Sequence, residues 1–211
     1  MICVSVVEKS PESVVQIANS AEMAEIRIDL CELDKNTVKS VFSNISHPTI
    51  ATCRPDYCND EQRSLLLKTA ILSGACYVDV EIESATEFKN DIISFAHEHG
   101  CKVIISYHNY ENTPSIEELR NIIDTCFSQK ADIAKVATTA LSQRDSAVVL
   151  SLYAEYENLV ALAMGENGKI SRIANVCLGS PFTFVAIDKQ HCSAAGQLTA
   201  AQMQTILNNF K

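Results

Sequence analysis

The chain has 211 residues, 47% hydrophobic and 20% charged, a composition that suits one globular domain with a real core. Its formal net charge of −9 argues against nucleic acid and anionic membrane as partners. No apolar run approaches the roughly 20 residues of a membrane span. The N-terminus, Met-Ile-Cys-Val-Ser-Val-Val-Glu, has no basic leader or cleavage signal and reads as a first β-strand, so a cytoplasmic protein is expected.

From that strand onward, short β-branched or apolar runs alternate with helical stretches of about 10 to 15 residues. The spacing predicts strands at 2–6, 24–29, 48–53, 76–82, 102–107, 132–136, 158–163 and 182–186. Helices are predicted near 11–19, 35–44, 61–73, 87–98, 115–129, 142–154, 170–177 and 199–209. Pro11 and Pro114 mark early helical positions, and Gly74 and Gly100 stand where left-handed caps are expected. A doubly wound sheet would normally show a glycine-rich loop after its first strand, and Ser5 to Lys9 contains no glycine. Eight strands alternating with eight helices fit a single (β/α)8 TIM barrel over residues 1–211.

The nine cysteines are odd in number and irregularly spaced. Cys3, Cys53, Cys76 and Cys101 lie in or beside apolar runs, so buried reduced thiols are expected in place of disulfides or a metal site. His97, His99 and Cys101 form a cluster at a helix end, where capping and solvation explain them more simply than a metal does.

Charges inside the predicted strands carry the chemistry. Glu25, Arg27 and Asp29 share one face of strand two, and Asp79 and Glu81 share one face of strand four. Strand five ends in Ser-Tyr-His, placing His108 at its tip, and Asp-Ile-Ala-Lys-Val-Ala puts Lys135 in an otherwise apolar strand six. Barrels have no edge strands, so such charges converge on the C-terminal mouth where active sites of this fold lie. An amine among apolar neighbours is disfavoured as a cation and freed as a nucleophile for ketones. A histidine beside it is suited to general acid–base work. Of six arginines, Arg27, Arg54 and Arg172 fall at or just beyond predicted strand ends, while Arg63, Arg120 and Arg144 fall on helices and are expected to be solvated. The residues by themselves point to an imine-forming lyase or aldolase acting on a small anionic ketone.

Taken together these segments resemble the type I 3-dehydroquinate dehydratases along the whole chain. The carriers are Glu-Ile-Arg-Ile-Asp at 25–29, Ala-Thr-Cys-Arg at 51–54 and Ser-Tyr-His-Asn-Tyr with Thr-Pro at 106–114. Asp-Ile-Ala-Lys-Val-Ala at 132–137, Met-Gly-Glu-Asn-Gly-Lys-Ile-Ser-Arg at 164–172 and Ser-Ala-Ala-Gly-Gln at 193–197 complete them. The resemblance implies that Lys135 forms an imine with the ketone of 3-dehydroquinate and that His108 moves the protons. It implies that Arg172 clamps the substrate carboxylate, that Glu25, Arg27 and Arg54 hold ring hydroxyls, and that Ser5 touches substrate. Ser193 and Gln197 would sit in a loop that closes over the ligand, with Phe184 and Met164 as apolar wall. No metal or organic cofactor is implied, and the family suggests a homodimer. Another Schiff-base aldolase and a non-catalytic dehydroquinate-binding sensor are the rival readings.

Three departures from the family pattern stand out. Ala195 replaces a common proline in the last loop, which would loosen it. Cys58 stands where many members have a glutamate that hydrogen-bonds the catalytic histidine. Asp60, Glu61 and Glu81 are the nearest substitutes, and strand-borne Glu81 is favoured as the more rigid. Finally, strand one begins almost at Met1, without the N-terminal extension that can close the barrel bottom.

Overall fold

The computed structural model describes residues 1–210. The strands are β1 Ile2–Val6, β2 Met23–Arg27, β3 Thr49–Thr52, β4 Tyr77–Glu81, β5 Lys102–Asn109, β6 Ile133–Thr139, β7 Leu159–Met164 and β8 Thr183–Ala186. They alternate with helices α1 Pro11–Ser20, α2 Lys35–Ser43, α3 Asp60–Leu72, α4 Thr86–Glu98, α5 Ile116–Ser128, α6 Gln143–Ser151, α7 Lys169–Cys177 and α8 Ala200–Asn208. All eight strands belong to one sheet. The chain is a (β/α)8 TIM barrel, as the spacing predicts. No described helix is long and apolar enough to cross a membrane.

Local chemistry explains the element ends. Ser10 caps α1 by accepting from the Ser13 amide, with Pro11 opening the helix, and Asn59 caps α3 through the Gln62 amide. Ser115 and Thr199 form reciprocal capping boxes at α5 and α8. Gly74 and Gly100 take φ of +108° and +71°, the left-handed conformation expected where helices turn into strands. The predicted helix 142–154 stops at Ser151, and Leu152–Ala154 tightens into a 3₁₀ turn. Strand β6 runs three residues past its predicted end, because Ala137, Thr138 and Thr139 continue the ladder with Leu162, Ala163 and Met164.

Two compact units divide the chain, 3–104 and 105–211 with the first two residues. In the first, β1, β2, β3 and β4 pair in parallel, with Ser5 opposite Glu25, Arg27 opposite Thr52 and Thr52 opposite Asp79. Its interior holds Ile26, Ile28, Ile50, Leu67, Val80 and Ile92, all fully buried. In the second, β6 and β7 pair in parallel with Lys135 opposite Val160, and Ile105, Leu119, Ile123, Val136 and Phe182 are buried. Strands covered on both faces are apolar nearly throughout, so each polar residue in them stands out.

Two expectations about single residues need correction. Cys3, Cys53 and Cys101 are buried free thiols, but Cys76 is exposed: it lies before β4, just past the Gly74 turn, with its thiol facing the Gly74 carbonyl at 3.9 Å. Arg63 is 1% exposed, not solvated. Its helix turns it inward onto the exit of β3 and the Phe88 ring.

Candidate active site

In the 3–104 unit the strand-borne charges meet one another. The Glu25 carboxylate, 4% exposed, accepts from the Ser5 hydroxyl at 2.8 Å and from the Thr52 hydroxyl at 2.9 Å. Both oxygens are thus satisfied, as burial of a carboxylate requires. Arg27 grips Asp29 with a two-pronged fork, Nε to Oδ1 at 3.0 Å and Nη2 to Oδ2 at 2.5 Å. Burial works against its charge, and the bond to Asp29 with the nearby Glu25 carboxylate outweighs that and holds Arg27 above the usual arginine value. Arg54 lies two residues past β3, with Nη1 2.9 Å from Asp79 and 3.5 Å from Glu81. Against the cost of burial, these two carboxylates and Glu25 raise its pKa. Cys58 is half-buried, and burial with the neighbouring Cys58 thiol pushes Cys53 well above a normal thiol.

In the 105–210 segment Lys135 is the third residue of β6 and 5% exposed, between fully buried Ala134 and Val136. Its Nζ lies 4.4 Å from the centre of the Phe184 ring on β8, so the amine rests on an aromatic face. His108, near the end of β5, is half-buried, and its ring runs nearly parallel to Tyr110 at 6.1 Å. The loop after it is tied to β6. Thr113 Oγ1 lies 2.9 Å from Thr138 Oγ1 and donates to the Thr139 carbonyl at 3.0 Å, while Thr139 donates back to the Asn109 carbonyl.

Arg172 differs from the other two candidate arginines. It projects from α7, not from a strand end, and is 1% exposed. Among the described residues its one side-chain hydrogen bond runs from Nη2 to the Ala195 carbonyl at 3.3 Å, and its Nε has no partner. Burial pushes its pKa down to about 10, against a smaller opposing pull from Cys192. Arg27 and Arg54 already hold carboxylates of the protein. Arg172 holds a neutral carbonyl, which leaves a buried fork suited to a ligand's carboxylate.

The β8–α8 loop folds onto this arginine. The Ala195 carbonyl that Arg172 contacts also accepts from the Gly165 amide at 3.1 Å. Gly196, with φ +74°, packs so closely that a Cβ there would lie 2.4 Å from the Gly165 carbonyl oxygen. Ser193 donates from both amide and hydroxyl to the Gln197 side-chain oxygen at 2.9 and 3.2 Å. These bonds tie residues 193–197 to one another, to Gly165 and to Arg172.

The family model for type I 3-dehydroquinase matches residues 2–211. The chain belongs to that family. It is 36% identical over 219 residues to a 3-dehydroquinate dehydratase of Methanocaldococcus jannaschii, covering 98% of this chain and 97% of that one. It is 34% identical over 221 residues to the enzyme of the same name from Methanococcus maripaludis, covering 98% of both. Among solved structures it is similar to the type I 3-dehydroquinate dehydratase of Clostridium difficile with covalently modified comenic acid. That match has a TM-score of 0.88 at 26% identity, covering 99% of this chain and 91% of the other. The Aquifex aeolicus 3-dehydroquinate dehydratase matches with a TM-score of 0.86 at 28% identity, covering 100% and 98%.

The sequence marks every charged group just described except Arg63 as interior, while Thr52, Thr113 and Gly196 stand there only as motif residues without a role. Thr52 is ordinary strand composition until Glu25 is seen beside it. Arg63 carries a signal in hindsight, since it shares the buried side of α3 with Leu66, Leu67 and Ala70 at helical spacing.

Proposed function

We propose that the protein dehydrates 3-dehydroquinate to 3-dehydroshikimate through a Schiff base on Lys135, with His108 as general acid–base. The observation that carries this reading is the buried Arg172 fork, held among the described residues by one carbonyl and by no carboxylate. The Lys135 amine against Phe184 supplies the nucleophile in an apolar setting.

The Lys135 amine adds to the C3 ketone and water leaves, giving an iminium. His108 takes a C2 proton, and the electrons of that C–H bond move into the iminium to form an enamine. The enamine expels the C1 hydroxyl, to which His108 returns its proton, and water releases the conjugated ketone from Lys135. Net loss is one water. Arg172 holds the carboxylate, while Glu25, Arg27, Arg54 and Ser5 read the ring hydroxyls. Ser193 and Gln197 lie on the loop that covers the ligand, with Met164 and Phe184 as apolar wall. The same reading assigns the protein to the shikimate pathway, as a cytoplasmic homodimer needing no metal or organic cofactor.

Family membership favours this reading over an aldolase. The rival that remains is a protein that binds dehydroquinate without turnover. Incubation with 3-dehydroquinate, followed by the ultraviolet absorbance of the conjugated product, separates them: a steady rise supports catalysis, and binding without a rise supports the sensor.

A further inference from the structure

Arg63 is an unusual residue to find inside a barrel helix, because a guanidinium is among the costliest groups to bury. It is 1% exposed, yet it neither lines the strand-borne cluster nor lies on the surface. Its head group has three placed contacts. Nε donates to the Cys53 carbonyl at 3.1 Å, Nη1 pairs with Asp60 at 2.7 Å, and the plane sits 4.4 Å from the centre of the Phe88 ring. One side chain therefore joins three pieces of the 3–104 unit: the exit of β3, the first turn of α3, and α4.

The bond to Cys53 is the informative one. β3 ends at Thr52, so the Cys53 carbonyl lies past the last rung of the strand ladder. Arg63 supplies the donor that a neighbouring strand would otherwise give. The next residue is Arg54, whose guanidinium must meet Asp79 at 2.9 Å and Glu81 at 3.5 Å. A free carbonyl at Cys53 would let the peptide leading into Arg54 rotate. The loop that follows starts with Pro55 and turns through a bond from the Tyr57 amide to the Arg54 carbonyl at 3.3 Å.

We infer that Arg63 is a positioning residue: it clamps the Cys53 carbonyl and thereby aims Arg54 at the substrate. It touches no reacting group and acts through Arg54. The inference rests on the proposed role of Arg54 in holding a ring hydroxyl. It also explains how the loop containing Cys58 keeps its shape, since the clamp joins the residue before Arg54 to the helix that follows Cys58.

The test is a mutant cycle on turnover of 3-dehydroquinate, with folding checked by circular dichroism and thermal melting. Arg63→Met keeps apolar bulk against Phe88 and removes the donors. It should raise KM by about tenfold, the scale of one lost charge-assisted hydrogen bond, with a smaller change in kcat. Arg63→Lys, which can still reach one acceptor, should recover part of that loss, and it carries the same test if the methionine variant does not fold. Arg54→Lys should weaken binding as well, and adding Arg63→Met to it should cost little more, because the clamp then has nothing to aim. Fully additive losses, or an unchanged KM in folded Arg63→Met, would overturn the inference alone. A wild-type protein without turnover would overturn it together with the proposed function.

Discussion

The guanidinium of Arg172 donates from Nη2 to the carbonyl oxygen of Ala195 at 3.3 Å, so helix α7 and the β8–α8 loop meet at one atom. The same oxygen accepts from the Gly165 amide at the exit of β7. A loop expected to cover ligand is thus fastened to the arginine expected to bind the ligand's carboxylate.

Arg172→Lys should retain the charge and lose the planar fork. KM for 3-dehydroquinate is expected to rise roughly 10- to 100-fold, corresponding to about 1.5–3 kcal/mol for a hydrogen bond to a charged group. Steady-state kinetics checks this. Unchanged KM and kcat would place the carboxylate elsewhere.

Gly196→Ala tests the fastening from the other side. A Cβ there would lie 2.4 Å from the Gly165 carbonyl oxygen, and φ of +74° strains any larger residue. A left-handed alanine costs about 1–2 kcal/mol, so melting should fall by roughly 2 to 8 °C for a chain of this size. The kcat/KM for 3-dehydroquinate should fall as well. A variant with normal activity would mean that the loop need not hold this conformation.

Much of this architecture is legible in the sequence, because a strand of four to eight residues and a helix of ten or more leave different periodicities. The alternation in Glu25-Ile26-Arg27-Ile28-Asp29 places Glu25 and Arg27 on one side of β2, although Asp29 lies in the turn beyond it, and Gly74 and Gly100 mark their turns. What stayed hidden depends on partners distant in sequence. The partners that set Arg63, buried by Phe88 and the Cys53 carbonyl, apart from Arg120, which pairs with Glu155 at the surface, are distant in sequence. The spacing sets Arg172 at or just beyond a strand end, whereas it projects from the first turn of α7. Whether an arginine already holds an internal carboxylate, as Arg27 and Arg54 do, is visible only once the strands are paired.

Cys58 leaves open how the imidazolium of His108 is steadied, and Glu81 is the carboxylate favoured for it. Glu81 sits at the end of β4 within 3.5 Å of Arg54, while Glu61 is exposed in the first turn of α3. A carboxylate favours the protonated imidazole, so its removal favours the neutral base. Glu81→Gln should therefore move the acidic limb of kcat/KM to lower pH and reduce the rate, and Glu61→Gln should change neither. The reverse pattern in the two pH–rate profiles would assign the role to the α3 residue.

The central claim is that Lys135 forms the covalent intermediate. Borohydride added during turnover of 3-dehydroquinate should inactivate the protein, and peptide mapping by mass spectrometry should place one reduced adduct on Lys135. His108→Ala should still be trapped there while its turnover falls by roughly 10²-fold or more, the scale of a positioned acid–base. An adduct on Lys102 or Lys169, or full turnover with no adduct at all, would contradict the account.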